Sequence, residues 1–170
     1  MRQRTMSRRF VVGGFVAGGI VLAFATAAAA YDVNENEKHA RQLDTDATQL
    51  DAGAARASTT PDGQRRVTER IAKQFKVQPA VVTDLRGRLG GYGQGTVTLA
   101  LSQELMKRDR TLSQQAALDK IVALRQAGKG WGVIAHEQGV KLGRVVSDVK
   151  RAEKATAKLE KPAKPEKPGR

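Results

Sequence analysis

The chain has 170 residues, of which 30 are lysine or arginine and 17 are aspartate or glutamate, so its formal net charge at pH 7 is +13. A chain of this length predicts a single domain. The absence of cysteine excludes a disulfide scaffold and a cysteine-ligated metal site, and the basic balance points to anionic partners.

The first thirty residues have the composition of an export signal. Four arginines and no acidic residue accompany an apolar run from Phe10 to about Ala25, and the segment ends in small residues at Ala30. This is the layout of a secretory signal peptide, so we predict cleavage near Ala30 and a periplasmic or secreted bacterial protein. The pair Arg8 and Arg9 leaves both the general route and twin-arginine export open. An uncleaved membrane anchor is the alternative to cleavage.

Two segments of the remaining chain predict disorder. Residues 31–63 hold seven acids, three bases and only three large apolar residues, too little apolar surface to offset the entropy of ordering. We therefore predict a disordered acidic linker there. Residues 151–170 form the predicted basic tail, in which lysines alternate with Pro162, Pro165 and Pro168. Prolines at this spacing favour an extended, unfolded backbone.

The segment between these arms, residues 64–150, predicts the folded domain. Apolar residues recur at helical spacing, and no stretch alternates long enough to indicate a sheet. The fold class is therefore all-α, a small bundle of about six short helices. Thr60 and Pro61 open the first helix, and Thr111 with Gln114 suggests a capping box for the fourth. The predicted helices begin near Thr60, Pro79, Gly95, Thr111, Gly132 and Leu142.

One internal self-similarity indicates duplication of a helix–turn–helix unit. A shift of 39 residues places Leu85-Arg86 on Leu124-Arg125, and Gly91-Tyr92-Gly93 on Gly130-Trp131-Gly132, without a gap. The shared unit is Leu-Arg, four residues, then glycine-aromatic-glycine. An ungapped match of this kind favours a repeated structural unit.

A second self-similarity has a spacing of 63 residues and places residues 71–77 on residues 134–140. It resembles the helix-turn-helix motif of DNA-binding proteins, in which a small residue and a turn glycine let two helices cross closely. In the first copy Lys76 stands where the second copy has the turn glycine, Gly139. A tight packing hairpin needs the same spacing and is the alternative interpretation.

The combined Leu-Arg…Gly-Trp-Gly-Val-Ile-Ala pattern resembles an uncharacterised family of small secreted bacterial helical proteins. The resemblance covers about Val67 to Lys150. It implies the helical fold and carries no activity, cofactor or substrate with it.

The sequence completes none of the motifs that carry catalysis or metal binding, so we predict no catalysis, no metal and no cofactor. His136-Glu137 begins like the zinc motif H-E-x-x-H, but Val140 stands where the second histidine is needed. The glycines around Tyr92 match neither the dinucleotide-binding pattern nor the P-loop. None of the serines lies in a nucleophile-elbow sequence.

Basic residues are the candidate binding residues instead. They cluster on the first predicted helix, after the third and on the last, and such a surface attracts polymers rich in phosphate or carboxylate. A solvated surface that serves only solubility is the alternative. The predicted anionic-partner surface comprises Arg65, Arg66, Arg70, Lys73, Lys107, Arg108, Arg110, Arg144, Lys150 and Arg151. Tyr92 and Trp131 are aromatic contact candidates, although core packing is the interpretation that we favour for both.

The sequence therefore predicts an exported, non-catalytic envelope protein. Its basic helical surface would serve structural or interaction roles with an anionic envelope polymer or a membrane surface. The alternative function is nucleic-acid binding through the pair that resembles a helix-turn-helix. The pattern leaves the identity of the partner and the oligomeric state open.

Overall fold

The computed structural model describes residues 33–159, and within them the chain forms seven α-helices and no strand. The all-α prediction is confirmed. The helices are α1 (Val33–Ala57), α2 (Pro61–Phe75), α3 (Pro79–Leu89), α4 (Tyr92–Arg108), α5 (Gln114–Gln126), α6 (Trp131–Gln138) and α7 (Leu142–Ala157). The predicted signal segment and the proline-rich end of the tail lie outside the described residues.

Helix α1 is the largest departure from the sequence-based expectation. The prediction of a disordered linker is wrong for Val33–Ala57, which form a helix of 25 residues. Four buried residues line one side of this helix, at alternating spacings of four and three residues, which is the pattern of a packed helix face. They are Leu43, Ala47, Leu50 and Ala54. A count of large apolar residues missed this face because half of it is alanine.

Helix α7 supplies the main surface that buries α1. Its own buried residues, Leu142, Val145, Val149, Ala152 and Thr156, repeat at spacings of three and four. Gly143, at the start of α7, faces His39 near the start of α1, where a Cβ on the glycine would lie 3.7 Å from the histidine Cε1. The two helices therefore run in the same direction, side by side. Two distant segments complete one core, which local composition does not reveal.

The basic tail begins later in the structure than the sequence predicts. The predicted start is residue 151, but α7 continues to Ala157 and buries Ala152 and Thr156. The alanines of this stretch favour helix and fit against α1, so the helix persists beyond the predicted boundary. The folded part of the chain thus includes residues on both sides of the predicted domain.

The six predicted helices correspond to α2–α7. Thr60 caps α2 as expected, its Oγ1 accepting a hydrogen bond from the Gly63 N–H at 3.1 Å. The predicted cap of α5 is wrong: Ser113, not Thr111, accepts from a first-turn N–H, at 3.2 Å. Thr111 instead donates its N–H and hydroxyl to Asp109, at 3.0 and 2.6 Å, and these hydrogen bonds lower the pKa of that carboxyl.

The 39-residue self-similarity has a structural basis. In both copies the aromatic residue is the first residue of a helix, and the arginine six residues earlier stacks on its ring. The Arg86 Cζ lies 4.8 Å from the centre of the Tyr92 ring, and the Arg125 Cζ lies 4.5 Å from the centre of the Trp131 ring. The predicted duplicated unit therefore shares a packing contact as well as a sequence pattern.

The 63-residue self-similarity corresponds to a shared turn. In the α2–α3 and α6–α7 connections, the N–H groups of Val77 and Val140 donate to the carbonyl five residues earlier, at 3.0 and 2.8 Å. The residue before each valine is left-handed, with φ of 53° at Lys76 and 64° at Gly139. This is the usual way to end a helix with a glycine. The first copy adopts the same turn with a lysine.

Helix α1 lies across the starts of both α4 and α6. The Gly93 N–H donates to Oδ1 of Asp51 at 2.8 Å, so a carboxylate of α1 lies at the positive end of α4. At α6, a Cβ on Gly132 would lie 3.4 Å from the Ala40 Cβ. The glycines of the duplicated unit thus allow close approach of α1. Among residues 33–159, no helix combines the length and hydropathy needed to cross a bilayer.

Candidate anion-binding surface

Helix α7 carries a dense group of exposed cations opposite its buried stripe. They are Arg144, Lys150, Arg151 and Lys154. Within the described chain one of them has a counter-ion, since Nη1 of Arg151 lies 3.3 Å from Oδ1 of Asp148. Between residues 33 and 159 the other three have no carboxylate at ion-pair distance. Amphipathic patterning therefore leaves this helix with a largely uncompensated basic face.

The outer face of α2 is basic, and the two arginines of its first half share one carboxylate. Arg65 donates a hydrogen bond to Asp62, and Nε of Arg66 lies 3.5 Å from the same carboxylate. The hydrogen bond to Asp62 raises the pKa of Arg65. Arg70 and Lys73 have no counter-ion among the residues that the structure describes. The cations of α2 that have no counter-ion in the described chain therefore lie in its second half.

Three cations at the end of α4 have three different environments. Lys107 pairs with Glu104. Nη1 of Arg108 donates to the Gly139 carbonyl at 2.7 Å, so this arginine joins the end of α4 to the α6–α7 turn. Arg110 has no ion-pair partner in the described part of the chain. Arg108 is therefore an exposed cation that also holds two parts of the fold together.

Hydrogen bonds between helices bring these clusters together. Nε2 of Gln74 on α2 donates to the Asp148 carbonyl of α7 at 2.7 Å. Nε2 of Gln103 on α4 donates to the Phe75 carbonyl at the end of α2, also at 2.7 Å. The ends of α2 and α4 therefore meet beside the first half of α7. The predicted residues on these adjoining segments are Arg70, Lys73, Lys107, Arg108, Arg110, Arg144 and Arg151, which we call the basic surface.

Three of the predicted residues lie apart from the basic surface. Arg65 and Arg66 are at the opposite end of α2, beside Asp62. Lys150 is two residues beyond Asp148, which faces α2, and two helical residues turn the side chain by about 200°. The sequence predicted the clusters correctly as exposed cations, but only the fold determines which of them are neighbours.

Lys76 is the residue that the sequence-based list missed. Its side chain is exposed and lines a cavity between the ends of α2 and α4, together with Lys107 and Arg110. The signal was present in the sequence, because the 63-residue shift places this lysine on a turn glycine.

Tyr92 and Trp131 do not offer a contact surface. Their exposed fractions are 5 % and 1 %, so both are core residues, as the packing interpretation predicts, and the contact candidacy is wrong for the folded chain. The Tyr92 hydroxyl lies 3.1 Å from Oγ1 of Thr68, and Arg86 and Arg125 cover one face of each ring. Flanking glycines let other helices approach closely, and that approach buries the rings.

A second cavity, of about 550 Å³, lies between α1 and α6. Charges of both signs surround it, including Glu37, Arg41 and Asp44, and Val133 on its edge is 51 % exposed. Mixed charges make it less suited to a polyanion than the basic surface. Within residues 33–159, no cluster of three or more His, Cys, Asp or Glu side chains could hold a metal ion.

Comparisons with protein-family models, with curated proteins and with solved structures return no match to this chain. The resemblance to small secreted bacterial helical proteins stays a prediction.

Proposed function

We propose that the chain is an exported, non-catalytic protein of the bacterial envelope that binds anionic polymers or membrane surfaces through the basic surface. The observation that carries this proposal is that three helices in mutual contact each carry exposed cations without a counter-ion. Arg70, Lys73, Arg110 and Arg144 lie on these adjoining segments without a counter-ion among the described residues. These like charges repel one another in the free protein, and an approaching phosphate or carboxylate group lowers their electrostatic energy.

Two further features support the same proposal. The first thirty residues have the composition of an export signal, and a chain outside the cytoplasm meets anionic lipids and polymers. The sequence His136-Glu137 does not continue as the zinc motif H-E-x-x-H, and no serine lies in a nucleophile-elbow sequence, which favours electrostatic binding over catalysis.

The proposal predicts salt-dependent binding that maps to α7. We expect the chain to bind vesicles containing phosphatidylglycerol at low salt and to leave purely phosphatidylcholine vesicles unbound. Arg144→Ala/Arg151→Ala should weaken vesicle binding about thirtyfold, because each basic residue near an anionic surface contributes about 1 kcal/mol. Vesicle co-sedimentation over a salt series measures both effects.

A matched control removes the same charge elsewhere. Lys38→Ala/Arg41→Ala on α1 also lowers the net charge by two, and both side chains are exposed outside the basic surface. If both double variants weaken vesicle binding equally, binding depends on the net charge of the protein and not on the basic surface. Absence of binding at low salt would remove the proposal altogether.

Nucleic-acid binding is the second candidate function, favoured by the α6–α7 turn. A three-residue connection with left-handed Gly139 joins the two helices, as in many helix-turn-helix proteins, and Arg144 is exposed in the first turn of α7. The second helix of such a pair enters the major groove with its first turns. This function requires the chain in the cytoplasm.

A gel shift with random duplex DNA tests this second candidate. Binding through α7 predicts weaker retention for Arg144→Ala and Lys150→Ala, and a binding constant that falls steeply as salt rises. Unchanged migration of the duplex with the wild-type chain and both variants would sink the idea. Fractionation of the native host with N-terminal sequencing of the mature chain separates the two functions by compartment.

A further inference from the structure

A groove of about 490 Å³ lies where the ends of α2 and α4 meet. Its charged lining residues are Lys76 at the end of α2, and Lys107 and Arg110 at the end of α4. The carboxylate paired with Lys107 is that of Glu104. Three cations against one carboxylate leave a local charge of +2, in a volume within the range of small-molecule sites.

The floor of the groove is held in place by two glutamines that also line it. Nε2 of Gln74 donates to the Asp148 carbonyl, and Nε2 of Gln103 donates to the Phe75 carbonyl, each at 2.7 Å. Each hydrogen bond uses one of the two N–H donors of its amide, fixes the orientation of the amide and leaves its carbonyl oxygen as an acceptor. The groove therefore combines cations with fixed acceptors for hydroxyl groups.

Lys76 has a left-handed backbone conformation, which residues other than glycine rarely adopt. Its φ of 53° makes it the one left-handed non-glycine residue in the described part of the chain, and the equivalent turn at α6–α7 uses glycine. A lysine at a helix end also balances the helix dipole, but Lys73 already provides that charge in the last turn of α2. Local strain that a glycine would relieve is characteristic of functional positions.

We infer that this groove binds a phosphate group carried on a hydroxylated molecule, with Lys76 as its principal cation. A phosphate monoester carries nearly two negative charges at pH 7, which matches the local charge of +2. Lys76 and Arg110 contact the phosphate oxygens, and the amide oxygens of Gln74 and Gln103 accept hydrogen bonds from hydroxyl groups. The inference rests on the proposed function, because it names the anionic group that the basic surface meets.

Replacement of the lysine by glycine tests the inference with opposite effects on stability and binding. Lys76→Gly should raise Tm by about 2–4 °C, because glycine adopts positive φ without strain. The same variant should weaken binding of glycerol 3-phosphate to the full chain about tenfold, because one charge-assisted contact is lost. Scanning calorimetry and isothermal titration calorimetry at low salt measure the two quantities. Loss of binding in a more stable protein cannot result from unfolding.

Control variants define the role of the charge. Lys76→Arg should retain binding within about threefold, whereas Lys76→Asn, which tolerates the left-handed turn, should lose it. Lys38→Ala, on α1, should leave glycerol 3-phosphate binding unchanged. Unchanged affinity in Lys76→Gly, or the absence of binding by the wild-type chain, overturns the inference.

The source of the phosphate is distinguished by competition. If glycerol 3-phosphate displaces the chain from phosphatidylglycerol vesicles, the groove holds a lipid headgroup. If vesicle binding persists while the groove is saturated, the groove holds a soluble phosphate ester. Vesicle binding that is insensitive to every Lys76 variant, with no binding of glycerol 3-phosphate, overturns the inference and leaves the proposed function intact. Glycerol 3-phosphate binding without vesicle binding would support the inference and contradict the proposed function.

Discussion

Gly93→Ala is expected to lower the free energy of unfolding by about 3 kcal/mol or more, a large fraction of the stability of a small domain. A Cβ at this position would overlap the carbonyl oxygen of Ala47 and would lie 2.7 Å from Oδ2 of Asp51. The first of these atoms is backbone, so relief requires α1 to move away from α4. That movement would also break the 2.8 Å hydrogen bond from the Gly93 N–H to Asp51.

The chain offers a matched control for this substitution. Gly87 is also a helical glycine, but it is exposed on α3 and a Cβ there would meet nothing within 4 Å. Gly87→Ala should therefore stabilise the protein by about 0.5–1 kcal/mol through helix propensity. Urea unfolding followed by circular dichroism measures both changes. A cost below about 1 kcal/mol for Gly93→Ala would mean that α1 does not depend on close contact with α4.

The sequence predicted those parts of the fold that local signals determine. Thr60, followed by proline, marks the start of α2, and Pro79 marks the start of α3 as predicted, because caps and prolines act on their own neighbours. The burial of helix α1, by contrast, depends on a helix that is distant in the sequence. Its stripe of Leu43 and alanines becomes a core face only when α7 lies beside it, more than a hundred residues away along the chain. Periodicity within one segment does not reveal its partner.

The sequence predicts which residues of the candidate site are exposed cations, but it does not predict which of them are neighbours in the fold. Exposed bases were recognised from their helical spacing, yet Arg108 turned out to hold the Gly139 carbonyl, and Arg66 lies beside an aspartate. Lys76 is marked in the sequence only by its alignment with Gly139, because a lysine by itself carries no sign of its backbone angle. Only the comparison of two equivalent turns, one with glycine and one with lysine, identifies that position as unusual.

The parallel packing of α1 on α7 has a consequence for the basic surface. Because α1 covers the inward side of α7, Arg144 and Arg151 are held outward on a helix that is packed along much of its length. A rigid helix presents charges at fixed separations, which favours binding over the entropy of ordering long side chains. The acidic segment is therefore a support for the basic helix.

Trp131→Ala is expected to cost about 3–5 kcal/mol, the range for removing a fully buried large aromatic side chain. Trp131 is 1 % exposed, and Arg125 covers its ring while donating hydrogen bonds to Gln94 and to the Lys129 carbonyl, each at 3.0 Å. Loss of the ring leaves a cavity at the start of α6 and removes the surface on which the arginine stacks.

Trp131→Phe separates the packing role of the ring from any role of its N–H group. Nε1 of Trp131 is buried without a hydrogen-bond partner among the described residues, so phenylalanine should cost only about 1–2 kcal/mol. Val133→Ala, on the exposed side of the same helix, should change stability by less than about 0.5 kcal/mol. Chemical unfolding monitored by circular dichroism compares the three variants.

The same variants decide between packing and contact with a partner. If Trp131 belongs to the core, Trp131→Phe binds anionic vesicles as the wild-type chain does, and Trp131→Ala loses binding only in proportion to its unfolded fraction. A folded Trp131→Phe variant that fails to bind would instead make the indole ring part of the binding surface. That outcome would require α1 to move away from α6, because the ring is buried in the structure described.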